Sequence, residues 1–298
     1  MKTLLSILVI STLLTGLNII ETHTIENGLP NNQVRVILND SDGKIWAGSK
    51  EGVVQYDGTK WHRSTANDYP LNIGTTSIFE SKGKHYWFGS LGKAISYDGF
   101  AYKTYSIIED MGLQGRVVFG FHEDENGRIW VATTGGVAIY DGEQWKTLTV
   151  ENGLSHNVIH DIKQDSEGNY WLATRKGGLN IYDGEKVEHK YLEKNCRKIL
   201  KDNAGTMWVG TSDGIIKYDG TDWKVLEAGH TILPMFQGAK GYIWCVKDAT
   251  HIIRINAEDR VIQYDNPTEG HTNEIYHLEQ DNKGAVWAGT DQGIFVLH

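Results

Sequence analysis

Proline and cysteine are scarce in this chain. Four prolines against 34 glycines in 298 residues exclude a proline-rich linker and leave glycine as the main turn former. Two cysteines, Cys196 and Cys245, exclude a disulfide framework or a multi-cysteine zinc module. No window carries a sustained helical apolar period, so no long helix is expected. Positive charge is thin and scattered: 29 Lys and Arg stand against 38 Asp and Glu, a net charge of −9. Nucleic acid and anionic membrane surfaces want a basic stripe, so neither is an expected partner. No Gly-x-Ser-x-Gly, His-Glu-x-x-His or phosphate loop occurs, which removes the commonest catalytic signatures.

Aromatic residues are plentiful instead, with ten tryptophans and fourteen tyrosines. The stretch "DSDGKIWAGSKEGVVQYDGTKW" from residue 40 sets Asp40 and Asp42 beside Gly43, an arrangement that a calcium loop would use. Its flanks, however, are strand formers bounded by glycines. The spelling also returns as "DENGRIWVATTGGVAIYDGEQW" at 124, "DSEGNYWLATRKGGLNIYDGEKV" at 165 and "DNAGTMWVGTSDGIIKYDGTDW" at 202. A last copy, "DNKGAVWAGTDQGIFVLH", starts at 281, and weaker copies surround Trp87 and Trp244. The anchor tryptophans Trp46, Trp87, Trp130, Trp171, Trp208, Trp244 and Trp287 stand 36 to 43 residues apart. This regularity marks an architectural repeat rather than a metal site.

Each unit reads as four short strands. In the copy at 124 these are 117–124, 128–134, 137–141 and 144–149. Asn126-Gly127 is expected to form a tight hairpin between the first two, and Gly135-Gly136 and Gly142 make the later turns. Four antiparallel strands in about 40 residues describe a propeller blade, and seven describe a closed ring. The fold class is therefore all-β: a seven-bladed propeller with four-stranded blades. The last copy stops after its third strand. The missing strand is at the start of the chain, where "IETHTIENGLPNN" (20–32) aligns with "WKTLTVENGLSHN" (145–157). Residues 20–25 should thus complete the seventh blade and hide its edge. The anchor tryptophans read as core between blades, and Trp61, Trp145 and Trp223 as blade-edge packing. Cys196 and Cys245 fall at different strand positions, so they read as buried thiols rather than a disulfide.

The N-terminus has one Lys, then an apolar run from Leu4 to Leu14, then small and polar residues. That layout is a secretory signal, so residues 1–18 are read as a signal peptide and 19–298 as the propeller. Cleavage falls best after Gly16, but no Ala-x-Ala site exists, and the 18 uncharged residues between Lys2 and Glu21 just suffice for a retained anchor. After cleavage no membrane span is expected, and the address is periplasmic or secreted in a bacterium.

At "DGxIWxGTxxGxxxYDG" the repeats resemble the two-component regulator propeller repeat of extracellular sensor regions in hybrid histidine kinases. The resemblance implies a ligand-sensing propeller, often for carbohydrate fragments and often paired, so a homodimer is one expected assembly. This sequence departs from whole receptors of that kind: it shows seven copies and no phospho-acceptor His region, ATP box or receiver domain. The reading is a non-catalytic recognition module for a small molecule, an oligosaccharide or a protein partner. No cofactor, metal or catalytic residue is expected. The alternatives are a propeller enzyme of lyase or lactonase type, which would need a cluster built from His156, His160, His230 and His277, and a protein-docking scaffold.

A group that serves one ligand should not repeat. Asp57, Asp98, Asp141, Asp183 and Asp219, which recur in Tyr-Asp-Gly, are therefore turn residues. The loops before each first strand and after each second strand gather unlike residues at one channel mouth. They offer Asn32, Arg35, Arg116, His156, Asn157, His160, Arg197 and Tyr276, and then Arg175 and Lys176. Asn31, His277, Lys50, Lys247 and Asp248 belong to the same loops. Planar Arg groups, amides and an aromatic suit sugar hydroxyls or a uronate carboxylate.

Overall fold

The glycine-punctuated, aromatic-rich repeats fold as seven four-stranded antiparallel sheets. The structure is a computed structural model and describes residues 17–63, 71–264 and 274–298. The apolar run from Leu4 to Leu14, and with it the signal-peptide reading, lies outside the described residues. The sheets occupy 34–62, 75–106, 118–148, 159–190, 196–226 and 232–264, here blades one to six, while blade seven combines 275–297 with the N-terminal strand. Each chain segment starts at the inside of its blade and steps outward. Neighbouring inner strands touch all round the ring, including the first, Val34–Asn39, against the last, Ile275–Gln280.

The strands of blade three, Val118–Glu123, Ile129–Thr133, Gly136–Tyr140 and Trp145–Leu148, match the expected positions to within one or two residues. The first hairpin differs from expectation. The Gly127 amide donates to Asp124 O at 3.0 Å, the Asp124 amide donates to Arg128 O at 3.0 Å, and only Gly127 has positive φ, at 77°. Three residues therefore sit in the loop, a type I turn followed by a glycine bulge, rather than an Asn-Gly two-residue turn. The physical reason is Asp124: its Oδ1 accepts the amides of Asn126 and Arg128, both at 2.9 Å, which stabilises the longer turn.

Seven apolar clusters fill the interfaces between blades, and each contains one anchor tryptophan. Trp130 is 1% exposed and stacks on Tyr170 of the next blade at 3.7 Å. Removing such a ring from water is worth very roughly 4–6 kcal/mol before entropy is counted. The outer tryptophans pack at blade edges: Trp61 lies against Tyr56 and Trp287, Trp145 against Tyr105 and Tyr140, and Trp223 against Trp171 and Tyr218. Both cysteines are buried and free, and burial pushes the Cys196 thiol up to about 12.

The repeated aspartates have two structural tasks. In five blades the hairpin Asp accepts the anchor indole: Trp46 Nε1–H donates to Asp40, Trp130 to Asp124, Trp171 to Asp165, Trp208 to Asp202 and Trp287 to Asp281, at 2.8–3.0 Å. The Tyr-Asp-Gly aspartates each accept two amides of the following turn, as Asp141 does from Glu143 and Gln144 at 3.0 and 2.8 Å.

Asp40 is fully engaged. Oδ1 takes the Asp42 and Lys44 amides, and Oδ2 takes Trp46 Nε1–H and Tyr86 O–H. Asp42 pairs with Lys84. A calcium ion wants six to eight free oxygens, so calorimetric titration with calcium should show no saturable site. A sub-micromolar site removed by Asp42→Ala would overturn the structural role given to this turn.

The ring closes as the internal similarity predicts, one or two residues earlier than 20–25. Ile19–His23 pairs antiparallel with Gly293–Leu297. Beyond it Ile25–Asn27 forms a 3-10 turn capped by Thr24. Val150–Asn152 repeats that turn, capped by Thr149.

Candidate functional site

The inner strands carry a shared irregularity at one end of the channel. In six blades the register with the second strand shifts at the same place, which leaves Arg35, Thr76, Phe119, His160, Arg197 and Tyr276 unpaired. Blade six shifts instead at Met235, just after Pro234, which has no N–H to give to a ladder. A bulge re-aims side chains, so the same backbone device sets six unlike residues around one mouth. Four of the ten candidate residues, Arg35, His160, Arg197 and Tyr276, occupy it.

Blade four builds the cationic side of that mouth. The Arg175 amide donates to Val158 O at 3.0 Å. Ser155 Oγ donates to Gly177 O at 2.7 Å and accepts from Asn180 Nδ2 at 2.6 Å. These bonds lock the turn bearing Arg175 and Lys176 onto the loop bearing His156. Gly177 is needed at that contact, because a Cβ there would meet Ser155 Oγ at 2.5 Å. His156 Nδ1 accepts the Val158 amide at 2.9 Å. Burial, then Arg175 and Lys176, hold the His156 ring below its ordinary value. The His160 ring leans on Phe119 at 5.0 Å, and burial followed by Arg197 and Arg175 pushes it down to about 4. Both rings are therefore neutral at pH 7, and the local positive charge sits on Arg175, Lys176 and Arg197.

Among the described residues Arg35, Arg116, Arg175, Lys176 and Arg197 make no ion pair, whereas other basic side chains around the ring meet a carboxylate. Lys194 pairs with Asp213 at 2.7 Å, Lys247 with Glu227 at 3.1 Å and His230 with Asp248 at 2.7 Å. Lys247 and Asp248 are thus already engaged. Asn32 and Asn157 serve the loops, since their Oδ1 atoms accept the amides of Ile25 and Val150 at 2.9 and 2.8 Å. Arg116 is exposed; its amide donates to Thr134 Oγ1 at 2.7 Å, while its carbonyl accepts from Gly92. Tyr276 is half-buried, and burial and then Glu274 raise its hydroxyl above the ordinary value.

Deeper along the inner strands lies a polar set that sequence reasoning largely missed. His122, Lys163 and Glu279 stand directly across from Trp130, Trp171 and Trp287 in the pairing register. Asp161 takes the amides of Ile162 and Ile199, both at 2.9 Å, and lies 3.7 Å from Lys198 Nζ. Burial pushes His122 down to about 4 and His277 to about 3, and raises Glu279 to about 7 against the opposing charges of Lys198 and Lys163. The available signal is that other blades place Leu38, Phe79, Leu200 and Phe236 where blades three, four and seven place ionisable side chains. Among the described residues no group of three or more His, Cys, Asp or Glu side chains could hold a metal ion, and no helix is long and apolar enough to cross a membrane.

With this geometry in hand, comparison with known proteins is specific. The pattern of the two component regulator propeller family matches residues 28–51, 112–135 and 153–176, so the chain carries that repeat. No curated protein sequence matches the chain. Among solved structures, it is similar to the extracellular domain of a protein of B. thetaiotaomicron described as a hybrid two component system. There the identity is 25% and the TM-score 0.78, with 91% of this chain and 39% of that one covered. A second such extracellular domain from B. thetaiotaomicron gives 22% identity and a TM-score of 0.75, over 93% of this chain and 42% of that one. The chain therefore spans about two fifths of the length of these structures. A catalytically inactive virginiamycin B lyase from Staphylococcus aureus, with quinupristin, shares the fold at 14% identity and a TM-score of 0.72, over 90% of this chain and 96% of that one.

Proposed function

We propose that this propeller is an extracellular or periplasmic, non-catalytic sensing module that recognises an acidic carbohydrate at the mouth ringed by the inner-strand bulges. One observation carries the reading: Arg175, Lys176 and Arg197 converge there without a carboxylate partner among the described residues. Unpaired guanidinium groups on a strand and on a pinned turn suit a uronate carboxylate, which they can bind bidentately. Half-buried Tyr276 and Phe119 supply faces for a sugar ring. Likeness to sensor extracellular domains supports the class, and the lyase likeness extends to the fold alone.

Calorimetric titration with a galacturonate trimer, against the neutral galactose trimer, tests this. A charge-assisted hydrogen bond is worth about 1.5–3 kcal/mol, so Arg197→Ala and Arg175→Ala should each weaken uronate binding roughly ten- to hundredfold with melting unchanged. Lys176 holds a left-handed φ of 62°, so Lys176→Gly should lower affinity while relaxing the backbone. Equal affinity for the acidic and neutral trimers would defeat the reading. Turnover of the sugar that disappears in His160→Ala with binding intact would favour the enzyme instead.

A further inference from the structure

Blade six breaks the repeated bracket between aspartate and tryptophan, and a cavity lies where it does so. Gly238 holds the aspartate's station, because its amide donates to Tyr242 O at 2.9 Å just as Asp124 donates to Arg128 O. Trp244 thus has no carboxylate acceptor. Its indole occupies the room instead: a Cβ at Gly238 would lie 2.7 Å from Trp244 Nε1. Across the register from Trp244 stands Arg254, whose guanidinium carbon is 4.3 Å from the Tyr242 ring centroid, 5.2 Å from Tyr264 and 6.0 Å from Trp244. Trp244 and Tyr264 are parallel to within 5° at 5.7 Å.

The equivalent cation in blade five is complete. Lys217 lies over Trp208 at 5.2 Å and pairs with Asp259 at 2.7 Å. Arg254 makes no ion pair among the described residues, and its Nε is buried without an acceptor. A buried N–H of a cation without an acceptor is costly, so among the described residues this arrangement lacks an anion. The cavity beside it holds about 500 Å³, within the range of small-ligand sites. Apolar walls come from Val286 and Leu297 of blade seven, and Lys240 supplies a second cation at the rim.

We propose that this cavity binds an aromatic carboxylate. The carboxylate meets Arg254, and the ring enters between the Trp244 and Tyr264 side and the apolar wall of blade seven. Stacking favours a flat ring, and the mostly apolar lining favours an aryl group over a hydroxyl-rich sugar. The hairpin starting at Gly238 is at the opposite end of the blades from the bulged mouth, so the site is separate from the sensing site proposed above.

Calorimetry of the full chain with 2-naphthoate, and with the uncharged 2-naphthalenemethanol, tests the proposal. Naphthoate should bind about tenfold or more tightly than the alcohol, and Arg254→Gln should remove that preference. Lys240→Glu is the second variant: it reverses the exposed cation at the cavity rim, so it should weaken naphthoate binding about tenfold without lowering the melting temperature. If Arg254→Gln does not fold, weakened binding in folded Lys240→Glu supports the site by itself. Equal binding of acid and alcohol, no saturable heat at millimolar naphthoate, or retained affinity in Lys240→Glu would each overturn it.

Discussion

A chain lacking residues 17–26 should lose cooperative unfolding and aggregate. The closing strand contributes three things that nothing else in the ring can replace. Its pairing runs Glu21 to Val296, Thr22 to Phe295 and His23 to Ile294, so its removal bares the ladder groups of Gly293–Leu297, an exposed edge that invites intermolecular pairing. His23 is 3% exposed; its ring stacks on Trp287 at 5.4 Å and meets Trp61 edge-on at 5.4 Å. Deletion would therefore leave blade seven, where the two ends of the chain meet, without its outer strand and would strip His23 from its packing against blade one. Blades one to six are each one continuous run of chain, but blade seven is completed by a strand from the other end. The ring is thus closed by the noncovalent pairing of Ile19–His23 with Gly293–Leu297. Size-exclusion chromatography and denaturant unfolding followed by tryptophan fluorescence read the outcome. A soluble monomer with the parent's midpoint and slope would show that blade seven is stable on three strands.

That clasp was legible because the similarity between residues 20–32 and 145–157 reaches into local structure. Both copies carry a capped 3-10 turn, a left-handed glycine (Gly28 at φ 106°, Gly153 at 97°), and an asparagine that ties the loop. The aspartate positions were legible as turns, since the six-residue step to tryptophan is constant. Their bond to the indole was not, because spacing says nothing of which way two side chains lean. The Asn126-Gly127 doublet pointed to the wrong turn because Asp124 outweighs it with two amide bonds.

The mouth was partly legible. Arg35, His160, Arg197 and Tyr276 were reached from their closeness to loops, although what groups them is a bulge, which leaves no mark in composition. Asn32 and Asn157, read in the sequence as ligand amides, also hold the backbone through their Oδ1 atoms. The channel residues Lys163, Lys198 and Glu279 escaped because the ionisable residues at their positions differ from blade to blade, while the remaining blades carry mostly apolar or small ones. A search for what repeats passes over them, and only the closed ring brings them together.

Trp130→Ala should destabilise the ring by about 3–5 kcal/mol, the range for truncating a large buried aromatic. Trp130 stacks on Tyr170 with an interplanar angle of 18°, and its indole N–H is one of three side-chain donors to Asp124 Oδ2, with Arg128 and Tyr170. The carboxylate therefore joins two blades through one oxygen. Asp124→Ala should cost a comparable amount by a different route, leaving the indole and the Tyr170 hydroxyl buried without an acceptor, at about 1–3 kcal/mol each. Because both variants dismantle one network, the double variant should lose less than the sum of the two. Denaturant midpoints for the three variants at 124 and 130 decide the matter. Strict additivity would mean that the aspartate shapes the hairpin and the tryptophan fills space, with no shared bond between blades three and four.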